Sequence, residues 1–162
     1  MMDWIKRREL EISVKTIFRI LRDKCNLSEN INKGIKSAIV IMDSLPSRSL
    51  DVTILIGRLI YLLRERIVNK DLKFFQTDLF KISVNKVLSQ SDLLDNTMKE
   101  SIANAFKQAF SGEDAISAFN VPLTVKYNLK KEIDKIIELF PYVVREYQNS
   151  GLEMPYSRKI VN

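Results

Sequence analysis

The chain has 162 residues, 46% hydrophobic and 28% charged, with 26 Lys and Arg against 20 Asp and Glu for a net charge of +6. That length fits one domain able to bury roughly two thirds of the surface its unfolded chain exposes, so no disulfide or metal staple is needed, and the composition is that of a globular protein rather than a disordered one. With no histidine and a single cysteine, Cys25, it lacks Ser-His-Asp and Cys-His nucleophiles, any His-ligated zinc site and an internal disulfide, leaving only carboxylate-magnesium or lysine-based chemistry open.

Glycine and proline number only 4 each, too few for the many tight turns of a sheet protein. The expected fold is all-α: a single-domain bundle of about five to seven helices over residues 1–151, followed by a C-terminal tail, 152–162. The first helix is expected from about Asp3 to Lys24. Leu10, Val14, Ile17 and Leu21 recur at steps of four, three and four, which makes one apolar face, with Ile12, Phe18 and Ile20 broadening it. Ser28 can cap a second helix whose inner stripe is Ile31, Ile35, Ala38, Ile39 and Met42, and Leu45-Pro46 stops it, since a residue before proline is pushed out of the helical region. Ser47 or Ser49 can cap a third helix, Leu50 to about Val68, apolar almost all the way round and therefore central or shared with a neighbour. Gly57 within it costs about 1 kcal/mol of helix propensity against Ala, which close approach of another helix would explain.

Asp71 to Gln90 reads as a helix through Phe75, Leu79, Ile82 and Leu88, although Ile82 and Val84 with the lysines between them would also suit a short strand. Asp92 or Asp95 can cap a further helix in which Leu94, Met98, Ile102, Phe106 and Phe110 step by four up to a closing Gly112. Glu113 to Phe119 has room for one short turn. The last long helix covers Leu123 to Tyr147 on the heptad-like seam Leu129, Ile133, Ile136, Phe140, Val143 and Tyr147. Pro141 lies inside it and is expected to kink or split it. Asn149-Ser150-Gly151 ends the element.

Charge is unevenly distributed. Residues 1–24 carry a net +3, 25–70 a net +3, 71–120 a net −2 and 121–162 a net +2. Arg8, Lys15, Arg19 and Arg22 fall at steps of seven, four and three, hence on the face opposite the apolar stripe. Such a row can meet successive phosphates of a polynucleotide, with release of condensed counterions driving binding, or it can be a solvated face with partners such as Glu11 beside Lys15. Arg58, Arg64 and Arg66 form a second basic set. Arg58, inside an apolar run, can snorkel to the surface, pair with a carboxylate or point at a ligand. Tyr61, Phe74, Phe75 and Tyr127 are either core residues or stacking platforms for bases. No Gly-rich phosphate loop, nucleophile elbow or spaced Cys cluster occurs, so no cofactor, no metal and no enzymatic activity are expected. Carboxylate pairs such as Asp92 with Asp95 read as helix-start residues. No targeting signal is expected, and Val52–Leu63 is too short an apolar run for a bilayer, so a cytoplasmic protein without membrane contact is the default.

The order of features adds a resemblance. A Lys6-Arg7-Arg8 opening on the first helix is followed by a second helix ending in Leu45-Pro46, by Leu55-Ile56-Gly57-Arg58-Leu59-Ile60-Tyr61-Leu62-Leu63-Arg64, and by a long last helix, Tyr127 to Tyr147. This resembles the small helical subunit of type III CRISPR effector complexes, over roughly Lys6 to Arg66 plus the terminal helix. The stretch before Leu45-Pro46 is longer than that pattern has, and Pro141 falls where it has an uninterrupted helix. The resemblance implies a non-catalytic subunit of a ribonucleoprotein complex that stacks head to tail with its neighbours, lies along the guide–target duplex and offers a basic face to RNA. By position Arg7, Arg8, Lys15, Arg19, Arg22, Arg58, Arg64 and Arg66 are the candidate contacts. Partners would be the other subunits, RNA and further copies of the chain. The competing reading is a helical protein-interaction module without nucleic-acid binding, motivated by the all-round apolar third helix and the heptad seam.

Overall fold

Seven α-helices and no strand make up the described residues: α1 Trp4–Lys24, α2 Glu29–Met42, α3 Pro46–Leu62, α4 Arg64–Val68, α5 Asp78–Leu88, α6 Asn96–Ser111 and α7 Leu123–Asn149. Single 3₁₀ turns lie at Phe74–Gln76 and Pro155–Ser157. The structure, a computed structural model, describes residues 4–44, 46–71, 73–111 and 122–157, with the side chains of 46–50, 111 and 157 outside that description. The expected Gly112 closure, the turn at 113–119 and the end of the expected tail, 158–162, lie outside the described residues.

The bundle is built around α3, as its all-round apolar character leads one to expect. It packs against α1, α2, α5 and α7, and Val52, Ile54, Leu55, Ile56, Leu59 and Ile60 are buried. Helix α1 lies along α7, and α2 along α6. The stripe Leu10, Val14, Ile17 and Leu21 is buried with Phe18, whereas Ile12 is 55% exposed and Ile20 half-buried. Ile12, about 200° around the helix from Leu10, lies off the buried stripe and borders an open groove between α1 and α7.

Side-chain caps start three of the helices, α2, α5 and α6. The Ser28 hydroxyl accepts from the Ile31 N–H at 3.4 Å, and Asp95 Oδ1 accepts from the Met98 N–H at 2.8 Å, each satisfying a donor that a helix start leaves open. The third helix begins earlier than expected, with Pro46 in its first turn, where a missing N–H costs nothing. Neither Ser47 nor Ser49 precedes it as a cap. The helix then breaks at Leu63, so that Arg64–Val68 forms a separate short helix.

Segment 71–90 is helical from Asp78, with Thr77 as the cap accepting from the Phe80 N–H at 3.3 Å. Its buried side chains are Phe75, Phe80, Val84, Val87 and Leu88, while Leu79 and Ile82 are exposed. The expected face fails because Thr77 is extended: the 3₁₀ turn holding Phe75 and the helix holding Leu79 and Ile82 do not share one continuous periodicity.

Helix α7 runs unbroken through Pro141, so proline does not split it. Apolar burial continues on both sides, with Ile133, Ile136, Leu139 and Phe140 before and Val143 and Tyr147 after. That continuous face against α1 and α3 offsets a proline cost of about 3 kcal/mol. Gly151, at φ 71°, closes the helix, and the Leu152 N–H donates back to the Tyr147 carbonyl at 3.0 Å, the pattern of a left-handed C-terminal closure. Beyond it the expected tail is anchored, because Met154 and Pro155 are buried and the turn they begin packs on α3.

Candidate nucleic-acid interface

The α1 cations do not stand alone. Asp43, just past the end of α2, receives Arg19 Nη2 at 3.0 Å and Lys15 Nζ at 3.9 Å. One turn further along α1, Arg22 donates to the two oxygens of Asp23 at 2.6 and 2.9 Å, and it also feels Asp43. The Asp23 carboxyl is held below its ordinary pKa, first by the hydrogen bond from Arg22 and then by the charges of Arg22, Lys24 and Lys36, Lys36 arriving from α2. Lys15, Arg19, Arg22, Lys24 and Lys36 thus gather along one α1–α2 edge around Asp23 and Asp43, with Glu11 also in the field of Lys15: five cations against three anions, leaving two positive charges in excess. Arg8 is exposed at the N-terminal end of the same α1 face.

Arg7 has a different setting. It turns toward α7, with its guanidinium 4.1 Å from the Trp4 ring centroid and Nε 3.9 Å from Glu11. Burial raises the Glu11 pKa against the opposing pull of Arg7, Lys15 and Arg8, and it likewise raises that of Tyr147. The second basic set is apart from the edge and is satisfied internally. Arg58 lies 4.6 Å above the Tyr156 ring and donates at 2.8 Å to the Gln90 amide oxygen in that side chain's hydrogen-bonded orientation, which ties the C-terminal turn to α3 and the end of α5. Arg64 caps the Tyr61 ring at 4.0 Å and donates to the Tyr61 carbonyl at 2.8 Å. Arg66 pairs with Asp71 and covers Phe74 at 4.5 Å. The eight candidate residues therefore divide: Arg8, Lys15, Arg19 and Arg22 share one edge, and Arg7, Arg58, Arg64 and Arg66 brace aromatic rings.

Among the aromatic candidates Phe75 is buried, Tyr61 stacks on Phe140 at 5.1 Å and Phe74 meets Phe75 and Phe80 edge-on. Tyr127 is exposed, but on a groove of about 380 Å³ between α4, α6 and α7, away from the α1–α2 edge. Lys36 and the half-exposed Trp4 were not among the expected contacts. Trp4 at a step of four before Arg8 carried a usable signal, whereas Lys36 joins the edge only through helix pairing. Cys25 is buried and its thiol is pushed up to about 12 by burial, so the thiolate that attacks electrophiles is not populated near neutrality. Among the described residues no group of three or more Cys, Asp or Glu side chains is arranged to hold a metal ion, and no helix is long and apolar enough to cross a membrane.

No family model, no curated protein and no solved structure matches the chain. The site therefore stands on its own geometry.

Proposed function

We propose that the chain is a non-catalytic helical subunit that contacts RNA within a larger ribonucleoprotein complex, and that the α1–α2 edge makes the contact. The observation that carries this reading is the excess of cation over carboxylate along that edge, where Lys15, Arg19, Arg22, Lys24 and Lys36 outnumber Asp23, Asp43 and Glu11. Exposed ion pairs of this kind are worth about 0–1 kcal/mol, so phosphate oxygens can replace the carboxylates at little cost. Release of counterions from the nucleic acid would supply the drive. The resemblance to type III CRISPR small subunits is carried by other residues, of which Arg8 alone lies on this edge while Arg7, Arg58 and Arg64 cover aromatic rings. The test is RNA affinity as a function of salt. Affinity should fall steeply as salt rises, and Arg19→Glu with Arg22→Glu should weaken it for most sequences alike; an affinity indifferent to salt would sink the reading.

A second reading, a protein-interaction module indifferent to nucleic acid, is favoured by the groove between α4, α6 and α7. Leu123, 82% exposed, and Tyr127, 68% exposed, line it beside Val68 and Phe110. A stable protein complex that forms unchanged with the α1–α2 edge reversed in charge would select this reading.

A further inference from the structure

The cationic edge ends, at the start of α1, on the one tryptophan of the chain. Trp4, Arg8, Lys15 and Arg22 follow one another at steps of four, seven and seven, which at 3.6 residues per turn returns each to the same side of the helix. Trp4 is 40% exposed, and the part of it that is covered is held firmly. The Arg7 guanidinium lies 4.1 Å from its ring centroid, and the Tyr147 ring meets it edge-on at 6.2 Å and 88°. It is an indole fixed by its neighbours, partly open to solvent and set at the end of a row in which Arg8, Lys15 and Arg22 are joined by one carboxylate, Glu11.

We infer that Trp4 is a base-stacking platform at the end of the α1–α2 edge, so that this edge takes single-stranded RNA in preference to duplex RNA. The inference rests on the RNA reading above and names the form of RNA. In a duplex the bases are paired and stacked on each other, and a protein meets chiefly phosphates and 2′-hydroxyls. In a single strand an unpaired base can leave its neighbours and stack on an aromatic ring while the flanking phosphates meet cations. The main apolar face of α1 is buried against α3 and α7, while Ile5, next to Trp4, and Ile12 are exposed, so a lipid surface is separated from RNA by the vesicle arm of the test below.

Because Trp4 is the sole tryptophan, its fluorescence reports the site directly. The full chain would be titrated with a short oligouridylate, with an RNA duplex of equal length and with phosphatidylserine-containing vesicles, following tryptophan emission and, for labelled RNA, anisotropy. The single strand is expected to bind more tightly and to quench Trp4, while the duplex leaves its emission unchanged. Trp4→Ala should weaken the single strand about tenfold, within the range that loss of a base–aromatic stack removes, and leave duplex binding as it was. Trp4→Phe, which keeps a ring, should retain most of the affinity and guards against a folding defect in the alanine variant. If both forms of RNA bind alike, or Trp4→Ala binds the single strand as well as the parent while Arg19→Glu with Arg22→Glu abolishes binding, the inference is overturned and the RNA reading stands. Binding of neither form overturns both. A blue shift on the vesicles without any response to the oligonucleotide also overturns both.

Discussion

Gly34 of α2 lies directly against Ser101 of α6: the space that a β-carbon at Gly34 would need is occupied by the Ser101 Cβ and hydroxyl, with the Thr97 carbonyl oxygen a further 3.5 Å contact. Both residues are buried, and α2 and α6 pack along each other, so neither helix can yield without disturbing the other's contacts. Gly34→Ala is expected to destabilise the fold by about 1–3 kcal/mol through overpacking, lowering the thermal midpoint by about 2–4 °C for each kcal/mol. The double variant Gly34→Ala with Ser101→Gly should recover a large part of that loss. A double-mutant cycle by thermal denaturation measures it, and strictly additive effects would contradict direct contact.

Gly57 of α3 is the opposite case. The nearest atoms a β-carbon there would meet are at the flexible end of Leu10, at 3.4 Å and beyond, so the helix crossing tolerates a methyl group. Gly57→Ala is expected to be neutral or to stabilise by up to about 1 kcal/mol, the helix-propensity difference. Chemical denaturation decides it, and a loss above that size would mean that α1 and α3 are closer than this geometry gives.

Asp43 sets the charge balance of the edge, because Lys15 and Arg19 both reach it. Asp43→Asn removes the carboxylate that Lys15 and Arg19 share while preserving size. RNA affinity should rise about two- to tenfold at low salt, and its dependence on salt should steepen, since more cation is left for phosphate. Unchanged affinity would place the RNA contact elsewhere.

Cys25 offers a pH test. Its folded-state pKa, pushed up to about 12 by burial, lies above that of an unfolded thiol, so the unfolded chain loses this proton first. The contribution of Cys25 to stability is therefore full below the ordinary thiol pKa of about 8.5 and is lost as pH rises toward 12. A disulfide reagent at about pH 9, just above that ordinary value, should label the thiol at the rate of unfolding, with denaturant bringing fast reaction. Fast labelling of the folded chain would show the thiol accessible.

Thr77 starts α5 by accepting from the Phe80 N–H. Thr77→Ala should cost about 1 kcal/mol, as loss of an N-cap side chain does, whereas Thr77→Ser should cost a few tenths. Equal losses in the two variants would assign the effect to something other than the hydroxyl.

Most of the helical architecture could be read along the chain, because burial stripes and caps are local. The spacing of Leu10, Val14, Ile17 and Leu21 gave the inner face of α1. Ser28 and Asp95 marked starts, Gly151 a stop, and the greasy run Val52–Ile60 foretold a central helix. Local reading failed where one segment mixes two periodicities, as at Phe75 and Leu79, and where burial on both sides of Pro141 overrode a backbone preference. The candidate interface was legible only in part: four cations on one face of α1 and Glu11 beside Lys15 follow from their spacing, but the pairing of Lys15 and Arg19 with Asp43 does not.

What the sequence by itself determined is the helical class and which face of each main helix turns inward, since a helix repeats every 3.6 residues whatever surrounds it. Only the tertiary structure decided that Asp43 reaches back to Arg19 twenty-four residues earlier, that Lys36 joins the α1 cations while Arg58 turns to Tyr156, and that Gly34 rather than Gly57 is the tight crossing. These relationships depend on how whole helices lie against one another, and that is fixed by the joint packing of faces distant in the chain.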